Sequence, residues 1–222
     1  MKLKQITMTL SDLTHHVAFP SPNIQLEQYP TSPALAAHLA FAAYNNGDIV
    51  PVDSSEDEDE DEDSPSGSTV LDLGCGTGIL GIASIAVGAS HVTAFECDAS
   101  AIEVARANYE RMEMEDMVTF VEGTLSNEGI GEGGDGVPFP NNSFSCVFTN
   151  PPFGTKNNSG IDVAFLRAAC RIATVAVYSF HKTSTREYLL KKITEEWGLE
   201  AEIVAEMKFE VKNMYKFHKK KR

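Results

Sequence analysis

The stretch STVLDLGCGTGILGIASIAVG, residues 68–88, decides the fold. Its first part, STVLDLGC, is an apolar run with the length of a buried strand, and the part that begins at Gly78 is an apolar helical run that ends at Gly88. Between them lie Gly74 and Gly76, which form a GxGxG loop with Gly78. Glycines let the backbone approach a ligand closely and adopt angles that side chains forbid. The stretch therefore predicts a strand, a ligand-facing turn and a helix.

Beyond this stretch, apolar runs of strand length alternate with helical ones. Strands are predicted in HVTAFECD, MVTFVEG, FSCVFTN, TVAVYSFH and EAEIVAEMKFEV, and helices in AIEVARANYERM, DVAFLRAACRIA and STREYLLKKITEEWG. Asp98 or Ser100 can cap the first of these helices. Strands separated by helices pair in parallel, and such sheets bind ligands beyond the carboxyl ends of their strands. The pattern predicts an α/β fold with a mostly parallel sheet flanked by helices.

Length and composition limit the classes of protein to consider. The 222 residues have the size of one α/β domain, so residues 1–222 are predicted to form a single domain. No apolar run is long enough to span a bilayer, and the N-terminus lacks the apolar core of a secretion signal. The four cysteines show no paired CxxC spacing, which argues against a metal site and for reduced thiols in the cytosol or nucleus.

The formal net charge of −14 is concentrated in one stretch. DSSEDEDEDEDSPSGS, residues 53–68, repels itself and has no apolar face, so we expect a disordered acidic loop without a specific role. The opposite charge gathers at the C-terminus, in a basic tail at residues 212–222. Lys219, Lys220 and Lys221 in this tail form a candidate patch for contacting phosphate.

Two further strand ends carry side chains that suggest chemistry. The second strand ends at Glu96, about twenty residues after the glycine loop, where an acid can hold the ribose hydroxyls of a nucleoside. The alternative is a surface acid at a strand end. The fourth strand ends at Asn150, which two prolines and Phe153 follow. The prolines cannot donate to a sheet and keep Asn150 from helical angles, so the chain is stiff there. The alternative is a plain turn.

These motifs together resemble a known class of enzyme. DLGCGTG with the acid of FECD is similar to the S-adenosylmethionine-binding core of class I methyltransferases, and NPPF resembles the motif of members that methylate a planar amino group. The resemblance implies that Asn150 and the Pro151 carbonyl accept hydrogen bonds from the target amine, while Pro152 stiffens the turn and Phe153 stacks on the base. Acceptors fixed in advance would localise the lone pair of the amine and aim it at the methyl group.

Four longer sequence motifs extend the resemblance to one particular family of methyltransferases. LEQYPTSP (26–33), NPPFGTKNNSGIDVAFL (150–166), YSFHKTSTRE (178–187) and YKFHKKK (215–221) are similar to the methyltransferase-like protein 5 family, which methylates N6 of one adenosine in small-subunit ribosomal RNA. This resemblance implies S-adenosylmethionine as cofactor, ribosomal RNA as substrate, and a cytoplasmic or nuclear, including nucleolar, location. The residues it implies for binding the cofactor are Gln28, Tyr29, Thr31, Asp72, Gly74, Gly76, Gly78, Glu96, Thr124 and Asn150.

Two kinds of macromolecular contact are expected. The candidate contacts to RNA are Lys156, His181, Lys182, Lys219, Lys220 and Lys221. For HKTSTRE the alternative is a plain helix start, with Thr183 or Ser184 as cap. The family also implies a small zinc-containing activator subunit that forms a heterodimer. The third strand should lie at one edge of a 3-2-1-4-5 sheet, where a partner strand could cover its apolar ladder, unless helices and the long loop shield it.

Two departures from the class pattern are visible. An acid usually ends the third strand, but FVEGTL places Gly123 and Thr124 near that position, and Glu122 could substitute only in a shifted register. The class also generally ends in an antiparallel hairpin, whereas this chain stops at Arg222, so we expect the final strand to be missing. Two other functions stay open: methylation of a glutamine side-chain amide in a protein, a chemistry that NPPY-type motifs also serve, and a ribosome-assembly scaffold without turnover, which the two departures support.

Overall fold

The computed structural model describes residues 2–13, 15–51, 67–126, 136–154 and 159–207. The predicted basic tail, nearly all of the predicted acidic loop, and Lys156 lie outside the described residues. Within the described ranges, no helix is long and apolar enough to cross a membrane.

Five parallel strands form one sheet. They are β1 (Thr69–Leu73), β2 (His91–Glu96), β3 (Val118–Glu122), β4 (Phe144–Thr149) and β5 (Ala173–Ser179). Their order is β3-β2-β1-β4-β5, which confirms the predicted parallel sheet and its strand order. Because β1 is the central strand, the loop that follows it lies between the carboxyl ends of β2 and β4.

Six α-helices flank the sheet in the described part of the chain. They are α1 (Leu3–Ser11), α2 (Pro33–Asn46), α3 (Ile79–Ala86), α4 (Ala99–Arg111), α5 (Ile161–Ile172) and α6 (Arg186–Lys191), and α6 continues into a π-helical turn at Lys192–Glu196. Side chains of β1 alternate between two cores. Val70 is buried among residues of α1, α2 and α3, whereas Leu71 and Leu73 are buried against α5. The central strand is therefore covered on both faces.

The helix boundaries follow from local capping. Asp98 precedes α4, and its side chain accepts a hydrogen bond from the Ser100 amide at 2.9 Å, which settles the choice between the two predicted caps. Neither Thr183 nor Ser184 caps α6 with its side chain; a 3-10 turn at Thr183–Thr185 leads into that helix instead.

The sequence patterns do not predict α1 or α2. In α2, the small residues of PALAAHLAFAAYNN give almost no contrast between a polar and an apolar face. Capping signals were nevertheless present. Ser32 accepts from the Leu35 amide, Pro33 occupies the first turn, and Gly47 ends the helix in the left-handed conformation.

The strand predicted in EAEIVAEMKFEV is wrong over its described part. Residues 201–207 form no regular secondary structure. Ile203 and Val204 are each about half exposed, at 50% and 54%, so neither face of this segment is buried by the sheet. Arg186 forms an exposed ion pair with Glu206 at 2.9 Å, so the segment lies beside α6, although a pair of this kind contributes little to stability.

Asp72 points into the protein interior and not into the turn that it precedes. Its side chain is fully buried, and Oδ2 accepts a hydrogen bond from the Gly81 amide of α3 at 2.8 Å. Burial raises the pKa of Asp72 to about 7, the Gly81 amide opposes that rise, and the nearby Glu96 carboxylate adds to it. A side chain at Gly81 would overlap the Tyr109 hydroxyl, so glycine is required where α3 passes Asp72 and Tyr109.

Replacing Asp72 by Asn should change how stability depends on pH. The pKa of Asp72 is 3.8 when unperturbed and about 7 in the fold, so the folded state binds this proton more tightly and loses stability as pH rises between those values. Asn keeps an oxygen for the Gly81 amide but does not titrate. The free energy of unfolding of Asp72→Asn, minus that of the wild type, should therefore grow by at most about 1.4 kcal/mol per pH unit across this window.

Urea unfolding at several pH values within this window measures the difference. The same difference at every pH would show that folding does not raise the pKa of Asp72.

Candidate active site

A cavity of about 360 Å³ opens at the carboxyl ends of the strands. Its wall combines the loop after β1, the end of β2, the loop after β3 and the turn after β4 with part of the N-terminal segment, which we define as residues 15–31. The volume lies within the range of small-molecule sites. Residues that are far apart in the sequence thus share one ligand-sized space.

The glycine loop shapes the floor of the cavity. Gly74 has φ +74°, and a Cβ atom there would lie 2.8 Å from the Phe165 ring. Gly76 has φ +53°, and its Cβ would lie 3.0 Å from Phe19. Side chains at these positions would be strained and would fill the space that backbone now leaves. Gly78 is the N-cap residue of α3, and like Asp72 it is not among the residues that line the cavity.

Glu96 ties the end of β2 to the glycine loop. Its Oε2 accepts from the Gly76 amide at 2.9 Å, and its Oε1 accepts from the amides of Cys97 at 2.9 Å and Asp98 at 3.1 Å. The residue is only 8% exposed and lines the cavity. A carboxylate held by backbone donors is well placed to accept hydrogen bonds from hydroxyl groups of a ligand.

The thiols beside Glu96 stay protonated. Burial raises the pKa of Cys97 to about 12, and the Glu96 carboxylate, to which the thiol donates at 3.3 Å, adds to that rise. Burial also raises the pKa of Cys75. A nucleophilic cysteine needs a depressed pKa, so these side chains are wall residues of the cavity.

The N-terminal segment closes one side of the cavity. Thr77 donates to the Val17 carbonyl at 3.1 Å, and Gln28 donates to Asp98 Oδ2 at 2.7 Å. Gln28, Tyr29 and Thr31, which the sequence analysis places at the cofactor, all line the cavity. The sequence analysis missed Phe19 and Glu27, which also line it, because no pattern in the sequence distinguishes them.

The turn after β4 reaches the same cavity. Thr149 Oγ1 donates to the Leu73 carbonyl at 2.7 Å, which holds the end of β4 against the end of β1. Asn150 Nδ2 donates to Thr31 Oγ1 at 2.8 Å, so the amide nitrogen is committed to the protein and the amide orientation is fixed. Asn150 and Pro152 line the cavity, whereas Pro151 and Phe153 lie just outside its lining.

The loop after β3 brings backbone and hydroxyl groups where the class pattern has an acid. The Gly123 amide donates to the Glu96 carbonyl at 2.9 Å, and a Cβ at Gly123 would lie 2.6 Å from the Phe95 ring. Thr124 and Ser126 line the cavity. Glu122 pairs in register with Glu96 but is exposed and is not part of the lining, so it does not replace the acid.

The two described candidates for RNA contact lie after β5. His181 Nε2 lies 2.7 Å from Ser179 Oγ, and Nδ1 lies 4.0 Å from Asp162 Oδ2. Burial lowers the pKa of His181, and Asp162 opposes that shift. Lys182 contacts Phe153, as described below. Lys156, Lys219, Lys220 and Lys221 are outside the described residues, so their role stays a prediction.

Known proteins match this chain over different parts of the site: some match only the half formed by the glycine loop and Glu96, and others also match the half formed by the turn after β4. The family model of the ribosomal protein L11 methyltransferase, PrmA, matches residues 58–137, which include the glycine loop and Glu96 but not the turn after β4. The crystal structure of PH1948 from Pyrococcus horikoshii superposes with a TM-score of 0.66 and 30% sequence identity, covering 88% of this chain and 82% of that one.

Two relatives match both halves. The rRNA N(6)-adenosine-methyltransferase METTL5 of Danio rerio is 36% identical over 221 residues, which cover 100% of this chain and 93% of that protein. The rRNA N(6)-adenosine-methyltransferase Mettl5 of Drosophila melanogaster is 41% identical over 203 residues, which cover 91% and 84% of the two chains. The chain belongs to the METTL5 family.

Membership in the METTL5 family confirms the resemblance inferred from the four sequence motifs and makes the chain a methyltransferase. Family and fold together imply the use of S-adenosylmethionine. The cavity fits such a cofactor, because its glycine floor leaves room that side chains would fill and its buried Glu96 can accept from hydroxyl groups.

Replacing Glu96 by Ala should weaken binding of S-adenosylhomocysteine. The variant loses a charged acceptor for ribose hydroxyls, and hydrogen bonds to charged groups are worth about 1.5–3 kcal/mol, so we expect the dissociation constant to rise about 10- to 100-fold. Isothermal titration calorimetry measures it. Glu122→Ala is the matched control, because Glu122 is the register neighbour of Glu96 on β3 and does not line the cavity.

Equal affinities of the wild type and Glu96→Ala would remove Glu96 from the cofactor site. A comparable loss in both variants would point to a general effect on the sheet edge.

Proposed function

We propose that this protein transfers a methyl group from S-adenosylmethionine to N6 of an adenosine in small-subunit ribosomal RNA. One observation carries the proposal: Asn150, with its amide oriented by Thr31, lines the same cavity as the glycine loop and Glu96. The names of the relatives, which are rRNA N(6)-adenosine methyltransferases, support the choice of substrate.

Each half of the cavity has its own task. The backbone at Gly74 and Gly76 and the carboxylate of Glu96 would hold the cofactor, together with Gln28 and Thr124. When bound, S-adenosylmethionine supplies an electrophilic methyl group. The turn after β4 would hold the amine that accepts this group.

Asn150 and Pro151 act on the nucleophile. The lone pair of an exocyclic amine is delocalised into the ring, so the free amine is a poor nucleophile. Asn150 Nδ2 is committed to Thr31 Oγ1 at 2.8 Å, which leaves Oδ1 as the atom that accepts from the amine. The Pro151 carbonyl supplies a second acceptor. Because both acceptors are fixed before the substrate arrives, they localise the lone pair without a cost of reorganisation.

The two acceptors orient the amine but do not remove its proton. Amide and peptide oxygens are neutral and weakly basic, so they cannot serve as a general base near neutral pH. The proton leaves after transfer, when the methylated amine is acidic. The protein therefore contributes to the rate by positioning the amine and by stabilising charge. Preorganised dipoles provide both effects.

An adenine within a helix cannot reach these acceptors. Enzymes that modify a base move it out of the stack and hold it against aromatic side chains. Phe153, which follows the acceptors directly, is the aromatic ring for this purpose. The flipped adenine would thus be held by hydrogen bonds at its edge and by stacking on its face.

The two alternatives have weaker support. The match to the PrmA family ends at residue 137, before the acceptors, so it speaks for the shared cofactor half and not for a protein substrate. A scaffold without turnover would not need Asn150 held by Thr31 in the cavity. Both alternatives predict that RNA is not methylated.

We also propose a small zinc-containing activator subunit as partner, with strand addition at β3. In the described residues β3 pairs with β2 alone, and Val118, Phe120 and Val121 are each only partly buried. An uncovered edge strand of this kind is a template for a partner strand. We place the complex in the cytoplasm or the nucleus, including the nucleolus, where ribosomal RNA is made and assembled.

The test of the substrate uses the purified protein, alone and with the activator subunit. Each sample is incubated with labelled S-adenosylmethionine and either total RNA or a glutamine-containing peptide, and modified nucleosides are then identified by mass spectrometry. N6-methyladenosine in small-subunit rRNA is expected. Label in the peptide alone, or in neither substrate with the activator present, would contradict the proposal.

Replacing Asn150 by Ala should abolish most transfer while cofactor binding persists. The variant loses one preorganised acceptor, and losses of this kind lower kcat about 100- to 1000-fold. Single-turnover kinetics with RNA measure the loss, and calorimetry with S-adenosylhomocysteine measures the affinity. Asn45→Ala is the control, because Asn45 is an exposed asparagine of α2. Equal losses of transfer and of cofactor affinity would count against a role on the amine.

Binding of the activator should protect β3. Strand addition buries backbone amides along the edge, so hydrogen exchange of residues 118–122 should slow, and the midpoint of thermal unfolding should rise with the concentration of the activator. Exchange measured by mass spectrometry locates the effect. Protection elsewhere, with unchanged exchange in β3, would place the partner on another surface.

A further inference from the structure

The turn at Asn150–Phe153 has few backbone amides that could form hydrogen bonds to hold it in place. Pro151 and Pro152 have no amide hydrogen, so Phe153 is the first residue after Asn150 that can donate from its backbone. Two charged side chains from other elements hold both polar groups of this residue. Glu27 accepts from the Phe153 amide, and Lys182 donates to the Phe153 carbonyl.

The contact with Glu27 comes from a strained position. Glu27 Oε2 lies 3.1 Å from the Phe153 nitrogen, and Glu27 is only 9% exposed. Its φ is +50°, a conformation that non-glycine residues rarely adopt. A turn closed by the Gln28 side chain, which accepts from the Asn23 amide at 2.8 Å, keeps Glu27 in this conformation.

Glu27 and its neighbour bridge the two halves of the cavity. Gln28 binds Asp98 at the end of β2, while Glu27 binds Phe153 after β4. The strands β2 and β4 are separated by β1, so these consecutive residues span the cavity from the cofactor half to the amine half. Relative position across this span decides whether the amine meets the methyl group in line.

The contact with Lys182 involves the ring as well as the backbone. Lys182 Nζ lies 3.4 Å from the Phe153 carbonyl oxygen and 5.3 Å from the centre of the Phe153 ring, over its face. A cation over an aromatic face is attracted by the ring. A base that stacked on this face of the ring would meet the Lys182 ammonium group, whereas one on the opposite face would not.

We propose that Glu27 and Lys182 are positioning residues that clamp Phe153, with Lys182 reserving the opposite face of the ring for the flipped adenine. This inference rests on the proposed function, because the ring needs a fixed face only if a base docks there. Glu27 fixes the turn relative to the cofactor half, and Lys182 fixes it relative to β5. Neither residue is assigned contact with the reacting atoms.

The first test compares Glu27→Ala with Glu27→Gln. Alanine leaves the Phe153 amide without this acceptor, so kcat should fall about 10- to 100-fold while the dissociation constant of S-adenosylhomocysteine changes less than about threefold. Glutamine retains an oxygen acceptor and should recover most of the loss. Glu103→Ala is the matched control, because Glu103 is an exposed carboxylate on α4.

Hydrogen exchange provides a readout without RNA or turnover. Because Pro151 and Pro152 carry no amide hydrogen, a peptide that covers residues 149–154 reports mainly on Phe153 and a few neighbours. Its exchange should be faster in Glu27→Ala than in the wild type and close to the wild type in Glu27→Gln. Unchanged exchange in Glu27→Ala overturns the clamp.

The second test distinguishes a clamp from an RNA contact at Lys182. Lys182→Met should lower kcat at saturating RNA, speed exchange of the same peptide, and leave the salt dependence of RNA binding unchanged. Lys182→Arg keeps a charged donor and should recover most of kcat, and Lys4→Met on α1 is the control. An unchanged kcat with a higher KM and a weaker salt dependence would instead assign Lys182 to phosphate and overturn its part in the clamp.

The clamp and the proposed function fail in different ways. A wild type that does not methylate RNA, with faster exchange in Glu27→Ala, would contradict the proposed function and support the clamp of Phe153. A wild type that methylates RNA, with both Glu27→Ala and Lys182→Met at the wild-type kcat and exchange rate, would support the function and overturn the clamp.

Discussion

The hydrogen bonds between Glu96 and its backbone donors are the interactions on which the site depends. One carboxylate accepts from the amide of Gly76 and from those of Cys97 and Asp98, so it joins the loop after β1 to the end of β2. A buried backbone amide without an acceptor costs about 1–3 kcal/mol, so the loss of this carboxylate would release several such groups together. The hydrogen bond from Gly76 to Glu96 therefore holds the glycine loop that forms the floor of the cavity.

Parallel pairing of the strands then determines which other residues lie beside the glycine loop and Glu96. Every strand presents its carboxyl end at the same edge of the sheet, so β4 delivers Asn150 beside the glycine loop, although the two are far apart in the sequence. The N-terminal segment closes the arrangement from outside the sheet. Its contacts at Gln28, Thr31 and Glu27 reach residues just beyond β2 and β4, which joins the strand ends on either side of β1 into one composite site.

The sequence predicts the parts of the fold and site whose cause is local. The GxGxG spacing, an acid at the end of the next strand and prolines after Asn150 each reflect a constraint within a few residues, and the structure places all three at one cavity. The sequence does not predict contacts between elements that are distant along the chain. Asp72 points inward because α3 provides the Gly81 amide as a donor. Glu27 contacts Phe153 through a turn that no local sequence pattern indicates. The strand expected around Ile203 fails for the same reason, since apolar residues form a strand only where a neighbour buries them.

The distribution of carboxylates also bears on how an acidic protein could accept the RNA substrate that we propose. Glu96 and Glu27 are buried, and each accepts from backbone amides, while Asp72 has its pKa raised to about 7 by burial and is therefore largely neutral below that pH. Backbone donors stabilise such buried charges locally. The remaining negative charge of the chain lies mainly in the acidic run at residues 56–63, outside these three positions. Net charge is thus a poor guide to substrate here, because most of it is concentrated in one short stretch of the sequence.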